Sequence, residues 1–253
     1  MKIAAKKELG QHFLVDENIL GVIGRLADLT PDDVVLEIGP GLGVLTCYLA
    51  ERVGHVHAVE LDRTLEPHLA AIPRTSLHWA DALAFDAAAL EPAPGKLVSN
   101  LPYNIATPLV VESLDRLPGI ASWCVMVQRE VADRFFASPR TKAYGAVSVL
   151  IQLAAERTGF HPVSREVFRP RPNVESALVA FRRTRPGIDA GLKRLVEASF
   201  SHRRKTLANS VALAGFAPRT TAVGALEAIG RSPAARAEEL DPREFEALAA
   251  ALR

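Results

Sequence analysis

The chain holds two cysteines, two methionines, two tryptophans and three tyrosines in 253 residues. Cys47 and Cys124 stand far apart in apolar surroundings. That scarcity excludes a disulfide scaffold, and no cysteine spacing suits a metal; both read as buried thiols in a reducing compartment. No uninterrupted apolar run approaches a membrane span. The start, Met1 to Gly10, carries Lys2, Lys6 and Lys7 without an apolar core, which is not the pattern of a secretory signal. No coiled-coil heptad, internal repeat or low-complexity segment occurs. The expectation is a soluble cytoplasmic protein, monomeric, with no membrane association and no metal.

What is present is ordinary globular composition, 49% hydrophobic and 23% charged, in a chain long enough for one large domain and one small one. Charge is unevenly spread. From Arg157 to Lys205 there are twelve Lys and Arg against four acids, a local +8; the remainder has 18 basic and 25 acidic residues, or −7. A basic segment on an acidic body suggests a surface that faces a polyanion.

The front two-thirds alternates strand-like and helix-like stretches, the mark of a parallel α/β fold. Helical spacing covers Asn18 to Leu29 and Val44 to Val53. Strand patterns run over Asp33 to Ile38, His55 to Leu61, Ser76 to Ala80, Lys96 to Ser99 and Ser122 to Val127. The last of these leads into a helix through Phe136, and Gly145 to Leu153 also reads as helix. Thr158 to Val163 and Glu175 to Arg182 read as a late pair of strands around Phe168-Arg169-Pro170-Arg171-Pro172, which can be neither regular helix nor central strand. Arg185-Pro186-Gly187 is the best boundary, so residues 1–185 are expected as one domain and 186–253 as a smaller all-helical one. Its helices are expected at Leu192 to Phe200, Thr206 to Leu213, Thr221 to Ile229 and Arg243 to Leu252. A continuous helix from Leu192 to Val211 would bury Arg203 unpaired, which is costly. A break near Ser201-His202 is therefore expected, with Arg203, Arg204 and Lys205 in the first turn of the next helix. Cations there oppose the helix dipole unless an anion is bound.

The chemistry gathers at strand ends. Gly39-Pro40-Gly41-Leu42-Gly43 follows a strand and opens a helix, as a nucleotide-cofactor loop does. Dinucleotide enzymes use G-x-G-x-x-G, but Val44 fills the last position here, which disfavours a dehydrogenase. The spacing fits S-adenosylmethionine, which has no pyrophosphate to cradle. Glu60 ends the second strand, where an acid would bind two ribose hydroxyls, with Asp62 as a nearby competitor. Asp81 follows the third strand and could accept a hydrogen bond from the cofactor's adenine amine. Asn100-Leu101-Pro102-Tyr103 follows the fourth. The Asn100 side-chain oxygen and the Leu101 carbonyl, held by Pro102, can accept the two hydrogens of an exocyclic amine, and Tyr103 offers a ring for stacking.

Five stretches occur in one order: Gly10-Gln11-His12-Phe13-Leu14, Glu37-Ile38-Gly39-Pro40-Gly41, Asn100-Leu101-Pro102-Tyr103-Asn104, Phe168-x-Pro170-x-Pro172-x-Val174-x-Ser176 and Arg203-Arg204-Lys205-Thr206. Over nearly the whole chain they closely resemble the ribosomal RNA adenine N6,N6-dimethyltransferases, and within them the small-subunit class. The resemblance implies a Rossmann-like class I S-adenosylmethionine-dependent methyltransferase domain with a small C-terminal helical domain. It implies dimethylation of N6 on two adjacent adenosines in the 3′-terminal hairpin of 16S ribosomal RNA within a 30S assembly intermediate, and a role in ribosome biogenesis. Carried over residue by residue, His12 and Leu14 would touch the cofactor, Gly39 and Gly41 would lie against it, Glu60 would bind ribose and Asp81 adenine. Asn100 would sit where methyl donor and target amine meet. Tyr103 would stack on one face of the base; Phe168 would cover the other, or else plug the space between the two domains. Many relatives have Asn where His12 stands; His can also donate or accept, and its alternative is a contact to RNA. Lys6, Lys7, Arg169, Arg171, Arg203, Arg204 and Lys205 are the candidate RNA contacts.

Two alternatives remain at this level. One is the sister class that dimethylates 23S RNA and confers macrolide resistance, in which Ile commonly replaces Leu101. The other is a ribosome-assembly or RNA-binding factor with secondary catalysis, against which the intact Glu60, Asp81 and Asn100 argue. A DNA adenine methyltransferase fits less well, because its motif begins Asp/Asn-Pro-Pro.

Overall fold

The computed structural model describes residues 11–253; Lys6 and Lys7 lie outside the described residues. The chain forms two compact units. One comprises the described residues up to Ala132 together with Glu156–Thr184; the other comprises Asp133–Ala155 and Arg185–Arg253.

The first unit opens with the short strand β1 (Phe13–Leu14) and helix α1 (Glu17–Leu26). Asp16 caps α1, its side chain accepting from the Asn18 amide at 2.8 Å, and Ile19, Leu20 and Ile23 turn inward. The helix stops three residues before the predicted Leu29, because Asp28 takes φ 48° and turns the chain. There follow β2 (Val34–Ile38), α2 (Val44–Ala50), β3 (His55–Glu60), α3 (Glu66–Leu69), β4 (Thr75–Trp79), β5 (Lys96–Asn100), α4 (Ala106–Arg116), β6 (Ser122–Gln128) and α5 (Arg129–Phe135). Helix α4 has no counterpart in the sequence reading. Its buried Ala106, Leu109, Val110, Ser113 and Leu114 do recur at helical spacing, but the stretch follows directly on the Asn-Leu-Pro-Tyr turn and carries Pro108 in its first turn.

After α6 (Ala146–Ala154) the chain returns through β7 (Ala155–Val163), β8 (Phe168–Arg169) and β9 (Ser176–Arg183). The main sheet has seven strands in the order β4-β3-β2-β5-β6-β9-β7. Strands β2 to β6 run parallel, and β9 lies antiparallel to β6. The order reverses between β2 and β5, since the chain reaches β4 at one edge and then crosses back; α/β sheets bind their ligands at the strand ends beside such a point. Strands β1 and β8 make a separate antiparallel pair, with Leu14 opposite Phe168. This is a Rossmann-like architecture. Its core draws on α1, α2 and one face of the sheet and includes Ile23, Leu49, Val56, Val98 and Leu178. Two buried aromatic rings, Trp123 and Phe181, stack across β6 and β9 at 5.1 Å.

The second unit is helical: α6, α7 (Ala190–Phe200), α8 (Leu207–Leu213), α9 (Arg219–Ala228) and α10 (Pro242–Ala251). The sequence reading placed all of residues 1–185 in the first domain, but Asp133–Ala155 belongs with the helices. The cause is visible at Tyr144. Its ring is buried beside Phe200, its hydroxyl donates to the Leu240 carbonyl at 2.7 Å, and the apolar α6 packs on α7 and α10. Burial and that hydrogen bond are worth more to this segment than its place in sequence.

Two other expectations are corrected. The helix does break after Phe200, but Arg203, Arg204 and Lys205 lie in the connecting turn, not in the first turn of α8. Ser210 holds the turn: its hydroxyl donates to the Ala198 carbonyl at 2.8 Å and accepts from the His202 amide at 3.1 Å. Thr206 is extended, so helix begins only at Leu207. Cys124 is buried, and burial pushes its thiol up to about 12, but Cys47 is exposed on α2, whose inward face is taken by Leu45, Thr46, Leu49 and Ala50. Among the described residues no helix is long and apolar enough to cross a membrane, and no cluster of His, Cys, Asp or Glu could hold a metal ion.

Candidate cofactor and adenine site

A cavity of about 240 Å³ opens at the carboxyl ends of β2, β3 and β5, beside the reversal of strand order. Three segments that are distant in sequence close it. Gly39 takes φ +71°, and a Cβ there would stand 3.1 Å from Pro102 Cγ. Gly41 takes φ +59°, and its Cβ would stand 3.0 Å from the Phe13 ring. Glycine is therefore required twice over, by the left-handed backbone and by contact with the Asn-Leu-Pro-Tyr turn and the β1 segment. Both glycines line the cavity and present bare backbone to it.

Glu60 lines the cavity and is 7% exposed. Its Oε1 accepts from the Leu61 and Asp62 amides at 2.9 and 2.8 Å, and its Oε2 accepts from the Gly41 amide at 3.2 Å. The carboxylate is oriented by three backbone donors before any ligand arrives, and each oxygen has further accepting capacity for a diol. Asp62, the competitor for this task, does not line the cavity. It accepts from the Thr64 amide and hydroxyl, at 3.1 and 2.6 Å, and from Gln11 Nε2 at 3.2 Å. Asp81 lines the cavity from the end of β4, its Oδ1 accepting from the Leu83 amide at 3.0 Å.

At the opposite wall, Asn100 Nδ2 donates to the His12 carbonyl at 3.2 Å. With its nitrogen committed, Oδ1 remains as the acceptor. The Leu101 amide donates to the Met126 carbonyl at 3.1 Å, which ties the turn to β6. The Tyr103 hydroxyl lies 2.5 Å from Ser176 Oγ, and the serine is fully buried at the start of β9. Burial raises the Tyr103 pKa and the serine contact partly offsets it. The ring stands 5.4 Å from the His12 ring, which is itself held by a 2.8 Å bond from Nδ1 to the Pro170 carbonyl.

His12, Leu14, Gly39, Gly41, Glu60, Asp81, Asn100, Leu101, Pro102 and Tyr103 all line this one cavity. Phe168 does not. It is fully buried in the core of the first unit, paired across β1/β8 with Leu14, so it supports the cavity wall from behind and offers no face to a base. Of the basic residues, Arg169 donates to the Glu166 and Phe168 carbonyls, and Arg171 pairs with Glu166 at 2.5 Å. Arg203 donates to the Tyr144 carbonyl at 3.2 Å. None of the five described basic candidates lines the cavity.

Among the motif residues that carried no expected task, two bear on the site. Ser176 is one. Glu37 is the other: it lines the cavity, is 1% exposed, and its Oε2 has no hydrogen-bond partner. The signal was available, since a carboxylate inside the apolar strand Val-Val-Leu-Glu-Ile breaks the pattern.

The family model described as ribosomal RNA adenine dimethylase matches residues 3–229. The chain belongs to this family. It is 50% identical over 249 residues to a protein of Rubrobacter xylanophilus named ribosomal RNA small subunit methyltransferase A, covering 96% of this chain and 93% of that one. A dimethyladenosine transferase of Plasmodium falciparum shares the fold, with a TM-score of 0.77 at 22% identity over 94% of this chain and 96% of that one. The 23S rRNA methyltransferase ErmE is similar at 29% identity and a TM-score of 0.67, over 95% of this chain and 99% of that one. The protein is thus a ribosomal RNA adenine dimethylase that uses S-adenosylmethionine. The cavity residues fit that cofactor: an oriented carboxylate for a diol, a glycine loop that offers bare backbone, and a buried carboxyl with one unpartnered oxygen beside it.

Proposed function

We propose that the protein dimethylates N6 of two adjacent adenosines in the 3′-terminal hairpin of small-subunit ribosomal RNA. It acts as a monomer in the cytoplasm on a partly assembled subunit, and contributes to small-subunit biogenesis. Within the family the small-subunit class is favoured over the 23S class by the 50% identity to a small-subunit methyltransferase, against 29% to ErmE, and by Leu101.

The observation that carries the chemistry is the commitment of Asn100 Nδ2 to the His12 carbonyl, which leaves Oδ1 to accept. The bound cofactor supplies a methyl group on a sulfonium centre. An adenine N6 lone pair is delocalised into the ring and is a poor nucleophile. Two acceptors, Asn100 Oδ1 and the Leu101 carbonyl, favour a pyramidal nitrogen as positive charge develops on it. Alignment supplies the rest, and no general base is required during transfer. After the first transfer the amine keeps one hydrogen for the two acceptors, so one of them releases its partner and the new methyl takes that space. Tyr103, anchored through Ser176, stacks on the base. Glu60 takes the ribose hydroxyls and Asp81 the cofactor's adenine amine, with His12, Leu14, Gly39 and Gly41 closing on it.

Lys6, Lys7, Arg169, Arg171, Arg203, Arg204 and Lys205 bind phosphates; Arg171 exchanges Glu166 for RNA as it does so. The test is to incubate unmethylated small and large ribosomal subunits separately with the protein and S-adenosylmethionine, then digest to nucleosides for mass spectrometry. N6,N6-dimethyladenosine from the small subunit alone is the expected result. The same product from the large subunit alone would move the assignment to the 23S class.

A further inference from the structure

A second groove, of about 550 Å³, opens in the first unit between α1, α2 and the residues that lead into the strands. Pro31 precedes β2, Val53 precedes β3 and Arg74 precedes β4, so it lies at the amino ends of the parallel strands, whereas the cofactor cavity lies at their carboxyl ends. The six residues of β3 separate the two by about 20 Å, at roughly 3.3 Å per residue. Four charged side chains line the groove: Arg25, Arg52, Arg74 and one acid, Glu51. Glu51 is already engaged, since Arg52 Nη1 donates to its Oε2 at 2.9 Å. Arg25 and Arg74 are exposed, and neither has a hydrogen bond or an ion pair among the described residues. This surplus of two positive charges stands outside the basic segment Arg157 to Lys205, in the part of the chain whose balance is −7. The floor of the groove is built from packed groups. A Cβ at Gly24 would collide with the Tyr48 hydroxyl, so its absence lets the tyrosine of α2 lie directly against α1. The Arg52 guanidinium stacks 3.7 Å from the centre of the Tyr48 ring, and its Nη1 also donates to the Tyr48 carbonyl at 2.9 Å, which leaves Nε and Nη2 for a ligand. Arg74 stands at φ 53°, a left-handed position that glycine would fill without strain, so the arginine sits there against the preference of the local backbone.

Resting on the small-subunit reading above, we propose that this groove is a second RNA site, which takes backbone phosphates of a ribosomal RNA segment remote from the target hairpin. Guanidinium groups match phosphate oxygens two at a time, and three of them converge here with the only acid of the lining neutralised. The one aromatic ring is covered by Arg52, so no base stacks on it and the site reads charge rather than sequence. At about 20 Å from the transfer site the groove does not reach the phosphates that flank the target adenosines. It reaches a segment that only a folded subunit brings within range, and so favours the subunit over the free hairpin.

The test is the double variant Arg25→Gln/Arg74→Gln, bound across a salt series to unmethylated small subunits and to an isolated 3′-terminal hairpin RNA. Loss of two phosphate contacts should weaken subunit binding about tenfold at physiological salt and make the plot of log affinity against log salt shallower by about 1.5. In methylation of subunits, KM should rise by a similar factor with kcat unchanged. Binding to the hairpin and to S-adenosylmethionine should stay within about twofold of wild type. Unchanged affinity and slope for the subunit would overturn the proposal. So would equal weakening for subunit and hairpin, which would show the general field of the protein at work and no separate site. A measurement on the wild-type protein does not depend on how the variant folds: a dicarbonyl reagent, read by peptide mass spectrometry, should modify Arg25 and Arg74 in the free protein and in the hairpin complex but not in the subunit complex. Modification of both in the subunit complex would overturn the groove and leave the function standing. Binding of the wild-type protein to large subunits alone would overturn the small-subunit reading and this proposal with it.

Discussion

Two glutamates face one cavity from neighbouring parallel strands, and the fold treats them in opposite ways. Glu60, at the end of β3, is met by three backbone amides. Glu37, inside β2, has an oxygen with nothing to accept from. Burial alone does not separate them, since both are under 10% exposed. The difference lies in what the local backbone can offer. The left-handed glycine loop and the turn after β3 present amide groups to Glu60, whereas the amides of β2 are spent on the parallel ladder to β3 and β5 or, at Ile38, on the Ser99 hydroxyl. One acid is a finished receptor. The other is buried with one oxygen left over. Asn100 belongs with the first kind, its amide already committed on one side so that the other is left for a target amine.

The largest effect should come from the finished acceptor nearest the chemistry. Asn100→Ala should lower kcat by roughly 100-fold or more, as loss of a transition-state acceptor does, while calorimetry finds cofactor binding within a few-fold of wild type. Near-normal transfer by that variant would defeat the amine-clamp account. Glu60→Gln comes next. It keeps the shape but places an NH₂ group among backbone donors, and cofactor affinity should fall by about tenfold to 100-fold. Affinity within about twofold of wild type would show that Glu60 does not hold the cofactor's hydroxyls.

Stability sharpens the contrast. The folded Glu37 pKa is raised from 4.5 to about 8, so the unfolded chain ionises first and stability is lost as pH rises between those values. Cofactor-free Glu37→Gln should therefore melt a few degrees above wild type at about pH 8, with the difference vanishing below about pH 4.5. A variant that melts lower at pH 8 would mean that the carboxyl has a partner in the empty protein. The smallest effect concerns Tyr103. Tyr103→Phe and Ser176→Ala delete the same hydrogen bond, so each should reduce kcat by about threefold to tenfold with the cofactor Kd unchanged. The double variant should be no worse than either single one. Additive losses would show that the two residues act separately.

Much of this was legible in the sequence, for a physical reason: backbone-dictated features leave local signatures. The glycine loop, the strand-end positions of Glu60 and Asp81 and the Asn-Leu-Pro-Tyr turn each announce a backbone geometry that few residues permit. The features that escaped depend on partners far away in the chain. Phe168 reads as a stacking aromatic until β8 pairs with β1 and buries it. Asp133–Ala155 reads as part of the first domain until Tyr144 finds the Leu240 carbonyl. Cys47 sits in an apolar run, yet its helix turns it outward. The burial of Glu37 was legible in its apolar strand, but that no Lys or Arg among the described residues lines the cavity around it depends on distant segments.

The most direct test of the proposed function is to map where the methyl groups go. Unmethylated small subunits would be treated with the protein and S-adenosylmethionine, and their RNA cut by a base-specific ribonuclease for fragment mass spectrometry. The account predicts two neighbouring dimethylated adenosines on a single fragment from the 3′-terminal hairpin. Methyl groups on any other fragment, or adenosines that stop at one methyl under excess cofactor, would contradict it.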